Sequence, residues 1–228
     1  CPRPRGGEEP LDDASVPFST CRHVRLAGHE LMLLRLTFIG ELGYELHVPS
    51  GSAVAVYVAL LAAAKVLGVT VANASCRAID GMSAEKGYWH WHADLSFVRY
   101  VPRMQEPPFE GSIGFVALAK LKTDAPLQGC AALEKQCAEG LRRRLVCHTL
   151  DEEQLEAPLH GQETIWRDGE CVGFVRSTAF GFTVGQQIAY GYVEAPNGVA
   201  MKPKAFTEWL SAGAWGICDR GVTRPSTL

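Results

Sequence analysis

Between Leu36 and Pro49 the sequence LTFIGELGYELHVP sets two glycines inside an apolar alternation and leaves two carboxylates beside them. Leu34, Leu36 and Phe38 alternate with Arg35 and Thr37, the period-two pattern of a half-buried strand. Gly40 and Gly43 allow a tight bend, after which Tyr44, Leu46 and Val48 resume the alternation. The pattern predicts strand, turn, strand. Within it Glu45 lies between Tyr44 and Leu46, so its carboxylate projects from the opposite face, while Glu41 sits in the turn. Carboxylates placed this way either face water or read a ligand, and spacing alone favours water.

The 228 residues, 47% of them apolar, are enough for one large domain or two small ones around an ordinary core. A formal charge of -3 argues against a nucleic acid partner. The longest apolar run, Ala53 to Leu67, is interrupted by Lys65 and is shorter than the roughly 18 residues of a membrane span, so a soluble protein is expected. Eight cysteines are scattered without a CxxC pair. They read as reduced, mostly buried thiols, although an even count leaves disulfides open. The opening CPRPRGGEEP has neither the apolar core of a signal peptide nor the basic amphipathic pattern of a transit peptide, and the chain reads as a piece of a longer one.

Residues 1–18 are rich in proline, glycine and charge and are expected to be loosely ordered. Ser50 and Ser52 offer caps for a helix over 53–67, with Val56, Leu60, Leu61 and Ala64 on one face and Gly68 as the stop. Val69 to Val71 reads as a short strand. A second helix is expected over 76–86, closed by Gly87, with Ile79, Met82 and Ser83 on one side and Arg77 and Asp80 an i,i+3 step apart. From 92 to 110 no period persists, and an irregular connection is expected. A short helix should lie within 127–140. Strands follow in LRRRLVCHTL, ETIWRDGECVGFVRST and QQIAYGYVEA, with Asp168-Gly169 turning a hairpin. The simplest architecture is a mixed α/β unit followed by an all-strand unit, with the boundary near Thr123 to Gly129.

His90, His92 and Asp94 fall close together, but one short cluster supplies only part of a metal shell, and an aromatic corner bonded to backbone is the preferred reading. Arg142, Arg143 and Arg144 open a strand, so alternate members face opposite sides; a solvated strand end is expected. Cys147 and His148 are neighbours on a strand and point apart, which disfavours a nucleophilic pair. There is no GxSxG, phosphate loop or dinucleotide fingerprint. No catalytic residue and no metal ligand is assigned.

IGELGYELHVP followed by CRAIDGMSAEKGYWHWHADL resembles the folate-binding aminomethyltransferase fold family. The matching positions are Gly40, Glu41, Gly43 and Glu45, then Arg77, Asp80, Glu85, Gly87 and Asp94. RAID, EKGY, HWHADL, GLRRRLVC and IAYGY are similar to the branch of the sarcosine and dimethylglycine dehydrogenases, and to its sarcosine members in particular. The resemblance implies an α+β fold, part of a clover-leaf arrangement, with an α+β part over 19–123 and a C-terminal antiparallel β-barrel over 124–228. It also implies a mitochondrial flavoenzyme that demethylates sarcosine to glycine. Its folate module captures the one-carbon unit as 5,10-methylenetetrahydrofolate. Tetrahydrofolate is the implied cofactor here. FAD, and through it an electron-transfer flavoprotein, would belong to an N-terminal flavin domain absent from this chain. By matching positions Glu45 accepts from the pterin edge, Phe38 takes the place of an aromatic residue beside the ligand, and Arg77 stands near the folate site. The family's catalytic aspartate lies upstream of these residues, so this chain alone is not expected to oxidise sarcosine. Segment 96–110 departs from the family pattern. A free-standing aminomethyltransferase of glycine cleavage and a non-catalytic regulatory relative remain open as alternatives.

Overall fold

The computed structural model describes residues 11–90, 95, 107–124, 126–151 and 158–228. The chain divides into two compact units, Cys1–Ile79 and Asp80–Leu228.

The first unit is built on a three-stranded antiparallel sheet, β1 (Cys21–Leu26), β2 (His29–Leu34) and β3 (Glu45–His47), in that order. Ala27 and Gly28, at φ 50° and 81°, form the two-residue turn of the β1–β2 hairpin. Period-two alternation turns Val24, Leu31 and Leu33 inward, where they bury Val16 and Val56 with them. The expected strand through Leu36 and Phe38 is not formed: β2 ends at Leu34, opposite Glu45, because the three-residue β3 offers no further partner. Gly43 is required by proximity, since a Cβ there would lie 2.7 Å from the carbonyl oxygen of Leu36.

Helix α1 (Ala53–Leu67) has the expected bounds. Gly68 ends it at φ 66°, and the Val69 N–H returns to the Ala64 carbonyl. Neither Ser50 nor Ser52 makes a side-chain cap; they lie in a 3-10 turn instead. Of the expected inner face only Val56 is buried, and Leu60 and Leu61 remain exposed. With the 3-10 turn, the apolar stretch Ser50–Leu67 becomes long and apolar enough to cross a membrane by length and composition, which revises the expectation above. The criterion is one of length and composition only, and Val56 is the one buried residue of this stretch. Residues 69–71 are exposed and form no strand. Helix α2 (Cys76–Lys86) also has its expected bounds, with Ser83 buried and Met82 exposed.

The second unit contains α3 (Gly114–Leu121), α4 (Cys130–Glu139) and six antiparallel strands: β4 (Arg143–Asp151), β5 (Thr164–Arg167), β6 (Glu170–Gly181), β7 (Gln186–Glu194), β8 (Trp215–Asp219) and β9 (Val222–Ser226). Their order is β4-β7-β6-β5-β8-β9. A bridge between Thr149 and Thr227, bonded in both directions, joins the first strand to the last and makes the sheet a barrel. Asp168 and Gly169, at φ 50° and 86°, turn the β5–β6 hairpin as predicted. The all-strand expectation for this region is corrected by α5 (Pro203–Ser211). Pro203 starts it, and Phe206 and Leu210, one turn apart, are its buried residues.

Strand β7 is buried along nearly its whole length because both of its faces are covered. Ala189 and Val193 join Ile165, Val175, Phe206 and Ile217 on one side. Ile188, Tyr190 and Tyr192 join Leu95 and Leu145 on the other. The glycine of IAYGY is explained by this crowding: a Cβ on Gly191 would stand 2.4 Å from Ile165 and 2.5 Å from the Phe174 carbonyl.

The cysteines follow the expectation of reduced, mostly buried thiols only in part: most of those described are free, but none of the free ones is buried. Cys21 is disulfide-bonded, Cys76 and Cys171 are free and exposed, and Cys130, Cys137, Cys147 and Cys218 are free and half-buried.

Candidate functional site

Glu45 opens β3, and the register fixes where it points. Leu46 pairs with Leu33 and packs against the core, so Glu45 and His47 share the outer face. The Glu45 carboxylate is half-exposed and lies 3.3 Å from the His47 ring nitrogen Nε2. The irregular segment leading to it is anchored by Arg35. One guanidinium nitrogen donates to Asp13 and to the Tyr44 hydroxyl, both at 2.8 Å, and the group stands 4.8 Å above the Tyr44 ring. Phe38, in that segment, is 62% exposed, and Arg77 is exposed on the first turn of α2. All three expected ligand-reading side chains are thus accessible, and none is enclosed.

Of the other matched positions, Asp80 and Glu85 have structural partners within the second unit. Glu85, on α2, accepts the backbone N–H groups of Thr183 at 2.7 Å and Val184 at 3.0 Å, holding the β6–β7 turn. Losing an acceptor shared by two amides costs about 1–2 kcal/mol. Glu85→Ala is therefore expected to lower stability by about that amount and to speed exchange of the Thr183 and Val184 amides, read by hydrogen exchange. Asp80 pairs with His90 at 3.5 Å. Trp91, His92 and Asp94, and most of segment 96–110, lie outside the described residues. No group of three or more metal-ligating side chains occurs among the described residues. Trp89 meets the Tyr190 ring edge-on at 4.3 Å, and the Tyr190 hydroxyl donates to the Ala84 carbonyl.

The arginine run is not simply a solvated strand end. Arg143 pairs with Glu110 at 2.9 Å and stands over the Tyr192 ring, whereas Arg144 donates to Ser112 and Thr207 on the opposite side of β4. Arg142 alone is exposed. Cys147 and His148 diverge as expected. Burial raises the Cys147 thiol, and His148 faces inward with its Nδ1 3.1 Å from the Ser226 hydroxyl. The half-buried Glu110–Arg143 pair, the serine and threonine around Arg144 and the Ser226–His148 contact were not foreseen. Their partners are remote in sequence, and no local pattern announces them.

Comparison with known proteins defines the class. The family model described as the GCVT N-terminal domain matches residues 6–100, and that of the glycine cleavage T-protein C-terminal barrel domain matches 143–215. The fold resembles the crystal structure of the glycine cleavage system aminomethyltransferase T from Bartonella henselae, with a TM-score of 0.70 at 19% identity over 96% of this chain and 53% of that one. The chain belongs to the aminomethyltransferase-like fold family, with an α+β architecture. Within that class its sequence is similar to the mitochondrial sarcosine dehydrogenases of Mus musculus, 50% identical over 93% of this chain, and Homo sapiens, 44% identical over the same span. The chain spans about a fifth of the length of those relatives, 21% in each case.

Proposed function

We propose that this chain is the folate-binding part of a mitochondrial sarcosine dehydrogenase, taking up the one-carbon unit released from sarcosine as 5,10-methylenetetrahydrofolate. The observation that carries the reading is the outward Glu45 carboxylate, at the position the folate-binding pattern reserves for the pterin reader, whose one polar contact among the described residues is His47 at 3.3 Å. A pterin presents adjacent N–H donors on one edge, and a carboxylate accepts two of them with charge-assisted strength. Phe38 offers an apolar face for the ring, and Arg77 a guanidinium for the anionic tail of the ligand. The exposure of all three is consistent with a site completed by the remainder of a longer protein, which would also supply the FAD chemistry of amine oxidation and hand electrons to an electron-transfer flavoprotein. In that division of labour this chain oxidises nothing; it binds and orients folate.

Glu45→Gln is expected to weaken tetrahydrofolate binding by about 1–3 kcal/mol, the range for losing a charged hydrogen-bond partner. Calorimetric titration of the full-length protein and the variant is the test. Equal affinities would remove Glu45 from the site.

A further inference from the structure

The barrel is closed only in part, and the opening carries a charge that no carboxylate among the described residues balances. Strands β4 and β9 meet at Thr149 and Thr227. Toward Arg144 the space between β4 and the β8–β9 hairpin becomes a trough of about 820 Å³, lined by Arg144, Leu145, Leu210, Trp215 and Pro225 among others. That volume is in the range of small-molecule sites.

Arg144 is held by two hydroxyls whose own protons are already committed. Ser112 donates to the Leu145 carbonyl at 2.7 Å and Thr207 to the Pro203 carbonyl at 3.0 Å. Both therefore meet Arg144 as acceptors, taking Nε–H at 3.3 Å and an Nη1–H at 2.7 Å. A guanidinium carries about five N–H donors, so about three remain for another partner. Among the described residues no carboxylate lies within ion-pair distance of it, and its half-burial lowers its proton affinity with no anion to offset the effect. Arg143 next door, by contrast, has Glu110 at 2.9 Å.

We propose that this trough binds an organic carboxylate, the carboxylate engaging the free edge of Arg144 and its apolar body lying against Leu210, Trp215 and Pro225. Planar, two-point pairing is the arrangement for which a pre-oriented guanidinium is suited. An added β-strand fits less well, because the open edge of β4 is already bonded on either side of the trough: Leu145 N–H to the Glu110 carbonyl, Leu145 C=O from Ser112, and Thr149 to Thr227. Recognition must come from side chains.

The experiment titrates the full 228-residue chain with 4-phenylbutyrate, its neutral amide and inorganic phosphate. None is a folate, so the result is independent of the function proposed above. Saturable binding of the carboxylate, at least tenfold tighter than the amide or phosphate, is expected. Arg144→Gln should abolish that preference, and Thr207→Val, which frees one guanidinium N–H from its guide, should weaken binding severalfold. Arg144→Lys, retaining charge without the fork, should fall between, and serves as the reporter if Arg144→Gln does not fold. Absence of binding, equal binding of the amide, equal binding of phosphate, or full affinity in a folded Arg144 variant each overturns the proposal.

Discussion

Phe206→Ala is expected to destabilise the barrel unit by about 3–5 kcal/mol, the range for truncating a fully buried aromatic ring. Phe206 is 0% exposed and is the largest of the fully buried side chains among the described residues. Its ring meets Trp209 edge-on at 5.5 Å, and Trp209 meets Trp215 at 5.8 Å. The Arg167 guanidinium covers Trp209 at 4.4 Å and donates to the Trp209 carbonyl at 3.0 Å. The hole left by alanine cannot collapse easily, because its wall is this ladder of rings and a hydrogen-bonded guanidinium. Domains of ordinary stability have about 5–15 kcal/mol in hand, so the variant should sit close to unfolding at ambient temperature. Phe206→Leu, which keeps most of the volume, should cost less than about 2 kcal/mol. Urea denaturation of the two variants is the measurement. Equal, small losses would show that α5 contributes little to the core it enters.

Acidification should reveal His148. Burial lowers its pKa from 6.5 to about 4. Its Nε2 is buried without a hydrogen-bond partner, and the Trp215 ring lies 5.4 Å away, so a second ring proton would have no acceptor. The folded chain thus binds this proton less readily than the unfolded chain. The stability contribution is complete above about pH 6.5 and drains as pH falls toward 4, by about 3 kcal/mol in all at 1.36 kcal/mol per unit. Unfolding free energies at pH 7 and pH 4.5, compared between the native chain and His148→Leu, isolate the effect. The native chain should lose about 2–3 kcal/mol more than the variant over that interval. Parallel losses in both would place the acid sensitivity elsewhere.

The helices over 53–67 and 76–86 are legible because their signals are local: apolar spacing within a few turns, then Gly68 and Gly87 at positive φ. The Asp168-Gly169 hairpin is legible for the same reason. The strand expected through Leu36 and Phe38 fails because strand formation needs a partner, and β3 supplies one only as far as Leu34. Helix α5 was readable, in the PKAFTEWL pattern of a first-turn proline and apolar residues one turn apart, but the strands on either side overshadow it. The apolar face expected on α1 is right only at Val56, since the small sheet beside it offers Val24, Leu31 and Leu33 and little more.

Backbone geometry repeats over two or three residues, so the sequence alone determined that Glu45 points away from Leu46, that Arg143 and Arg144 face opposite sides and that Cys147 and His148 diverge. It also carried the motif on which the proposal that Glu45, Phe38 and Arg77 read the ligand rests. Which charges are balanced was decided only by tertiary structure, because the groups that answer them come from far along the chain. Glu110 lies 33 residues from Arg143, Thr207 lies 63 from Arg144, and Ser226 lies 78 from His148. Burial sets the value of each such pairing, and burial exists only once the barrel has closed on Thr149 and Thr227.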